Sequence, residues 1–144
     1  MIIQIHEIER QKSFIFGGDA YFTIENPATG CRFTYKVSKA EKAEDLFWVG
    51  LLTGPDNTSS YTFIGRITKD PLSGGWVFIH SPKKIGADAK SVQAFMWWFR
   101  NLTIGRFLNP INFYHCGRCC CCGRLLTTPE SVQAGIGPVC AGRM

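Results

Sequence analysis

Apolar and polar residues alternate along much of the chain up to residue 80, which is the pattern of β-strands with one buried face. The clearest case is the segment 31–37, in which aromatic and aliphatic residues alternate with Arg32, Thr34 and Lys36. We expect these three side chains on the solvent side of a strand. Cys31, which begins the segment, is expected to be a small buried side chain.

Turn-forming residues separate the strand segments. The pattern predicts strands over residues 20–25, 31–37, 46–53, 61–68 and 76–80. Between them lie turns rich in glycine, proline, asparagine and aspartate, at residues 26–30, 54–57 and 70–75. Strands at such short spacing predict an antiparallel meander of about five or six strands.

The hydrophobic period then changes to that of a helix. Between Asp88 and Leu102 the apolar residues fall on one helical face, at Val92, Phe95, Met96, Phe99 and Leu102. The sequence therefore predicts one amphipathic helix that covers a face of the sheet, with Asp88 or Ser91 available as the N-terminal cap.

Cysteines are concentrated at the C-terminus, since six of the seven lie in the last 29 residues: Cys116, Cys119, Cys120, Cys121, Cys122 and Cys140. Adjacent cysteines do not easily form separate disulfides, and the first residues of the chain lack the basic and apolar regions of a secretory signal. In a reducing compartment this cluster indicates a metal site, and a structural zinc takes four sulfur or imidazole ligands.

The spacing ranks the candidate ligands. Cys119 and Cys122 form the better C-x-x-C pair, because a glycine follows Cys122 and eases the turn. Cys140 is the third ligand, as no other cysteine lies downstream. The fourth is His115 or Cys116, and the spacing does not choose between them. Four protein ligands leave no position for a reactive water, so the predicted zinc is structural.

A wider motif surrounds these cysteines: His115, Gly117-Arg118-Cys119, Cys122-Gly123-Arg124, Leu126-Thr127, Pro129-Glu130-Ser131, Gly135-Ile136-Gly137-Pro138 and Cys140. Through this motif, residues 115–140 resemble a zinc-finger-like family of unknown function that is common in phage and prophage genomes. The resemblance implies His115, Cys119, Cys122 and Cys140 as the zinc ligands. The surplus Cys116, Cys120 and Cys121 depart from the motif and leave Cys116 as the alternative to His115.

Together these patterns predict an α+β protein with two units. Residues 1–104 are expected to form an antiparallel β-meander packed by one amphipathic helix. Residues 105–144 are expected to form a C-terminal zinc-binding module, which depends on the metal because so short a segment buries little apolar surface.

The charge distribution points to an anionic partner. The net charge is +5, and residues 83–144 contain 8 basic and 2 acidic side chains. Nucleic acid is the first candidate for such a partner. Trp97 points away from the apolar stripe of the predicted helix, where it could stack on a base or anchor a protein contact. The other candidate residues for contacts with nucleic acid or another partner are Lys83, Lys84, Lys90, Arg100 and Arg106.

No catalytic triad, paired carboxylates or glycine-rich phosphate loop stands out, so the sequence does not predict an enzyme. No apolar run approaches the ~20 residues of a membrane-spanning helix, and no membrane partner is expected. We expect a phage accessory protein that binds nucleic acid in the cytoplasm of a host cell. The alternative is a protein-binding inhibitor of a host defence complex, similar to an anti-CRISPR protein.

Overall fold

The computed structural model describes residues 3–56, 59–107 and 111–115. They form two helices, α1 (Ile8–Ile15) and α2 (Lys90–Ile104). The seven strands are β1 (Ile3–Gln4), β2 (Asp19–Glu25), β3 (Arg32–Lys39), β4 (Leu46–Leu52), β5 (Tyr61–Lys69), β6 (Trp76–His80) and β7 (Asn112–His115). They make one sheet in the order β1-β7-β2-β3-β4-β5-β6, and every neighbouring pair is antiparallel.

Strands β2 to β6 occupy the five segments in which the sequence predicts strands, and each pairs with the next along the chain. Helix α2 covers the predicted helical segment, with its start and end each about two residues later. Its N-cap is Ala89, without a side-chain cap, rather than Asp88 or Ser91. Gly105 ends the helix with a left-handed φ of 83°, a conformation that glycine adopts without strain.

The predicted fold class is wrong in its architecture. The sheet is not a meander covered by one helix, because β7 lies between β1 and β2 and a second helix, α1, precedes β2. Four residues assigned to the zinc module, Asn112–His115, thus form a strand of the sheet. Among the described residues there is no group of three or more side chains suited to a metal. Residues 116–144, which carry the predicted cysteine ligands, lie outside the described part.

The core lies on one face of the sheet, beneath both helices. At its centre the rings of Phe22, Trp98 and Phe113 are close together, with centroids 5.0 Å apart for Phe22–Phe113 and 5.7 Å apart for Trp98–Phe113. Phe14 of α1 meets Phe113 edge-on at 5.6 Å. All four side chains are almost completely buried. Strand β7 therefore holds both helices on the sheet, since its Phe113 contacts a residue from each.

A polar cluster on the opposite face fixes β7 beside β2. The Glu25 carboxylate accepts hydrogen bonds from Asn112 Nδ2 at 3.1 Å and from the Tyr114 hydroxyl at 3.2 Å. Gln4 of β1 donates to Asn112 Oδ1 at 3.0 Å. Desolvation, and then the Glu25 carboxylate, raise the pKa of Tyr114. These bonds join β7 to β1 and β2, its two neighbours in the sheet, which are distant from it in the sequence.

Candidate nucleic-acid groove

A groove of about 400 Å³ separates α2 from the hairpin that joins β2 and β3. Helix α2 contributes residues at helical spacing, and the hairpin contributes polar and aromatic side chains. The lining of the groove includes Lys90, Gln93 and Trp97 from the helix, and Asn26, Thr29 and Phe33 from the hairpin. This volume lies at the lower end of the range for small-molecule and cofactor pockets.

Trp97 is the exposed aromatic side chain of the groove. It is 39% exposed, whereas the next residue along α2, Trp98, is fully buried in the core. The ring of Phe107 packs beside the Trp97 ring, with the two ring centroids 5.9 Å apart. An indole that is half-exposed in a groove offers a flat apolar surface to a planar ligand.

The charge of the groove is positive. Among the described residues that line it, Lys90 is the single charged one, so no carboxylate opposes an anionic ligand there. Lys90 and Trp97 lie two turns apart on α2, about 10 Å along the helix axis. Trp98 also lines the groove, and its buried indole N–H has no acceptor within the described part of the chain.

Polar groups of the groove have unused hydrogen-bonding capacity. Asn26 accepts the Ala28 N–H through Oδ1, which leaves its amide N–H groups as donors. Gln93 donates from Nε2 to the Ala87 carbonyl oxygen, a contact of 3.4 Å that leaves Oε1 as an acceptor. One wall thus supplies donors and the other an acceptor, which suits the edge of a nucleobase.

The structure brings together two of the six residues predicted to contact a partner, Trp97 and Lys90. Arg100 lines a different groove, between α2 and β6. Lys83 and Lys84 are exposed in the segment that leads into α2. Arg106 is exposed just after the helix, next to the Phe107 ring that contacts Trp97.

The hairpin wall was not predicted from the sequence. Asn26, Thr29 and Phe33 are distant from Trp97 along the chain and meet it through the packing of α2 on the sheet. The expectation for Cys31 is wrong: it is an exposed free cysteine that lines the groove. It follows the turn after β2 and precedes β3, so its side chain is not held in the core.

Aromatic residues of the uncovered sheet face form a second candidate surface. Trp48 is 41% exposed and meets the Phe63 ring at 5.9 Å. Two cations of this face are paired with carboxylates, Lys36 with Asp19 and Arg32 with Glu25. The groove at Trp97 is therefore the better site for a phosphate-bearing ligand, because its lysine has no such competitor among the described residues.

Of the predicted zinc ligands, the structure describes His115. It ends β7 on the core side, is 3% exposed, and its ring lies 5.0 Å from the Phe14 ring. Cys116, Cys119, Cys122 and Cys140 lie outside the described residues. One imidazole and three thiolates form a donor set that suits zinc, and the strand holds the imidazole in a fixed, water-poor position.

Comparison with known proteins gives one similarity. Residues 112–144 match the model of a family of unknown function (DUF6011). The match begins with β7 and covers less than a quarter of the chain. No curated protein and no solved structure matches the chain. No helix of the described residues has the length and hydrophobicity that a membrane crossing requires.

Proposed function

We propose that this protein binds single-stranded nucleic acid through the groove between α2 and the β2–β3 hairpin. The observation that carries the proposal is the half-exposed Trp97, set in a groove in which Lys90 is the single charged residue among the described lining. A base reaches such a groove only when it is unstacked from its neighbours, so a single strand is the expected ligand.

Each wall of the groove has a role in this proposal. A base stacks on Trp97, and the amides of Asn26 and Gln93 contact its edge. Lys90 contacts a phosphate near the start of α2. Stacking tolerates every base, so we expect affinity from the indole and the lysine and a modest sequence preference from the amides.

The remaining basic residues extend the positive surface beyond the groove. Lys83 and Lys84 precede α2, Arg106 follows it, and all three are exposed. Exposed cations outside the groove raise the rate at which a polyanion associates with the protein, and this effect falls as the salt concentration increases.

We also propose a structural zinc held by His115, Cys119, Cys122 and Cys140, with Cys116 as the alternative to His115. The support is the motif of residues 115–140 and the position of His115 at the end of β7. The proposed role is that of a non-catalytic phage accessory protein in the cytoplasm of the host cell, and the phage setting rests on the resemblance of that motif.

Fluorescence anisotropy of labelled oligo(dT) tests the groove in the zinc-loaded protein. Trp97→Ala should weaken binding by about tenfold or more, the size of one lost base–aromatic stack. Met96→Ala is the matched control, because Met96 is 45% exposed on α2 and lines the other groove rather than this one. Equal effects of the two substitutions, or no binding at low salt, would exclude the proposed site.

An inhibitor of a host defence complex is the second candidate function. Exposed apolar residues on α2, Met96 at 45% and Ile104 at 66%, favour a protein partner. The salt dependence of the affinity distinguishes the two functions. Phosphate contacts weaken steeply with ionic strength, whereas an interface anchored by apolar side chains weakens less.

A further inference from the structure

Strand β6 forms one edge of the sheet. It pairs with β5, and no other described strand lies beside it. Two hydrogen bonds at its ends show which residues bond to β5. The Asp70 N–H donates to the Gly75 carbonyl oxygen at 2.8 Å, and the Ser81 N–H donates to the Ile64 carbonyl oxygen at 2.9 Å. In an antiparallel ladder, residues that bond to the neighbouring strand alternate with residues that do not.

This alternation leaves the backbone N–H and C=O groups of Trp76, Phe78 and His80 pointing away from β5. Within the described part of the chain no backbone group bonds to them. An edge of this kind is a template for another extended chain. Neither a proline nor an inward-pointing charge, which usually protect such an edge, occurs within Trp76–His80.

A second groove, of about 300 Å³, runs along this edge. Three consecutive residues of β6 line one side, and the other side comes from the face of α2 that carries Met96, Phe99 and Arg100. The walls are apolar apart from Arg100 and Thr103. A sheet edge beside a helix, with an apolar groove between them, is the arrangement in which a peptide can add as a further strand.

Arg100 indicates the charge of the occupant. It is exposed, and no carboxylate of the described residues lies within 4.0 Å of its guanidinium. We infer that an extended acidic segment of a partner protein adds to β6 as a strand, places apolar side chains in the groove, and pairs an aspartate or glutamate with Arg100.

Two other occupants fit less well. Nucleic acid lacks the alternating donors and acceptors, at two-residue spacing, that the free groups of β6 require. A second copy of the chain, paired β6 to β6, would bring two Arg100 side chains towards each other, and like charges oppose such pairing. The inference is independent of the proposed nucleic-acid groove, because the two sites lie on different sides of α2 and share none of their lining residues.

Peptide titration of the isotope-labelled, zinc-loaded full chain tests the inference by NMR. The probe is a capped peptide of about eight residues in which valine alternates with glutamate, compared with a peptide in which lysine replaces every glutamate. We expect amide shifts to be largest in β6 and around Arg100, and the glutamate peptide to bind about two- to fivefold more tightly than the lysine peptide.

Two perturbations sharpen the test. Arg100→Glu should reverse the preference between the two peptides, while Lys42→Glu, at an exposed lysine that does not line the groove, should keep it. In a peptide strand paired with β6, every second amide faces β6. N-methylation of these amides should abolish binding, and N-methylation of the amides between them should leave it unchanged.

The inference is overturned by equal binding of the N-methylated peptides, by an unchanged preference in Arg100→Glu, or by the absence of shifts at millimolar peptide. It is also overturned if β6 amides shift with protein concentration alone, which would assign the edge to a second copy. Oligo(dT) that moves the same amides would assign the groove to nucleic acid and overturn it as well.

Discussion

The Tyr35 hydroxyl donates a hydrogen bond of 2.7 Å to the carbonyl oxygen of Ser91, which joins the middle of β3 to the first turn of α2. Tyr35 is completely buried, and its ring lies 5.0 Å from that of Phe95. Because Ala89 supplies no side-chain cap, this bond is a specific polar tie between the start of the helix and the sheet. It sets the end of α2 that carries Lys90.

Tyr35→Phe removes this tie and retains the ring. We expect the free energy of unfolding to fall by about 1 kcal/mol, the usual net value of one hydrogen bond. Tyr21→Phe is the control, because Tyr21 is a half-buried tyrosine on the uncovered face of the sheet. Urea unfolding of the three proteins measures the effect. A Tyr35→Phe protein as stable as Tyr21→Phe would contradict the role of the bond.

The same tyrosine makes stability depend on alkaline pH. Burial raises the pKa of Tyr35 far above its ordinary value of about 10. Above pH ~10 the unfolded chain loses this proton while the folded chain keeps it, so the stability is complete below pH ~10 and declines above it. We expect the stability difference between wild type and Tyr35→Phe to shrink or reverse from pH ~9 to ~11. Urea midpoints across this range measure it, and a constant difference would contradict the prediction.

The sequence predicts the central strands well because each is a run of five or more residues that alternates in polarity or is rich in β-forming residues, and most of them end at a turn with glycine or proline. The sequence does not predict helix α1, because its buried side chains, Gln11, Phe14 and Ile15, span little more than one turn and make too short a pattern. Strand β7 was missed because Phe113 and His115 show their alternation over four residues. Its place between β1 and β2 depends on contacts between the two ends of the chain, which local patterns do not encode.

Local patterns likewise identify only part of the candidate site. The helical period identifies Trp97 as a side chain outside the apolar stripe, and the charge distribution identifies Lys90. Neither pattern contains the hairpin wall, because Asn26 and Phe33 become neighbours of Trp97 only when α2 lies across the sheet. The separation of Arg100 from Trp97 is also a tertiary effect, since the helix divides two grooves there.

Phe113→Ala tests the position of β7 in the sheet. Phe113 is completely buried and contacts both helices and β2 through aromatic rings, so its truncation should cost about 3–5 kcal/mol. Phe63→Ala is the control, because Phe63 is a half-buried ring on the uncovered face of the sheet. Thermal and urea unfolding measure the two losses. If Phe113→Ala cost no more than the control, β7 would not be a core strand.

The salt dependence of oligo(dT) binding tests the contact at Lys90. Each phosphate contact on a single strand contributes about −0.7 to the slope of log affinity against log salt concentration. We therefore expect Lys90→Glu to make the slope shallower by about that amount and to weaken binding at low salt. Lys42→Glu is the control, because Lys42 is an exposed lysine in the turn after β3. Equal slopes for the two variants would exclude a phosphate contact at Lys90.

Metal removal tests the zinc proposal and its connection to the sheet. We expect about one zinc per chain, as a structural four-ligand site requires, and its loss in Cys122→Ser and in Cys140→Ser. Because His115 lies on β7 and pairs with Ile3 and Phe22, zinc that binds it should raise the melting temperature of the sheet. Metal analysis and thermal unfolding with and without a chelator measure both effects.

His115→Gln should abolish the effect of the chelator on the melting temperature, and Cys116→Ser should keep it. The opposite result would assign the fourth ligand to Cys116. Full zinc content in Cys122→Ser would show that the ligand set is wrong.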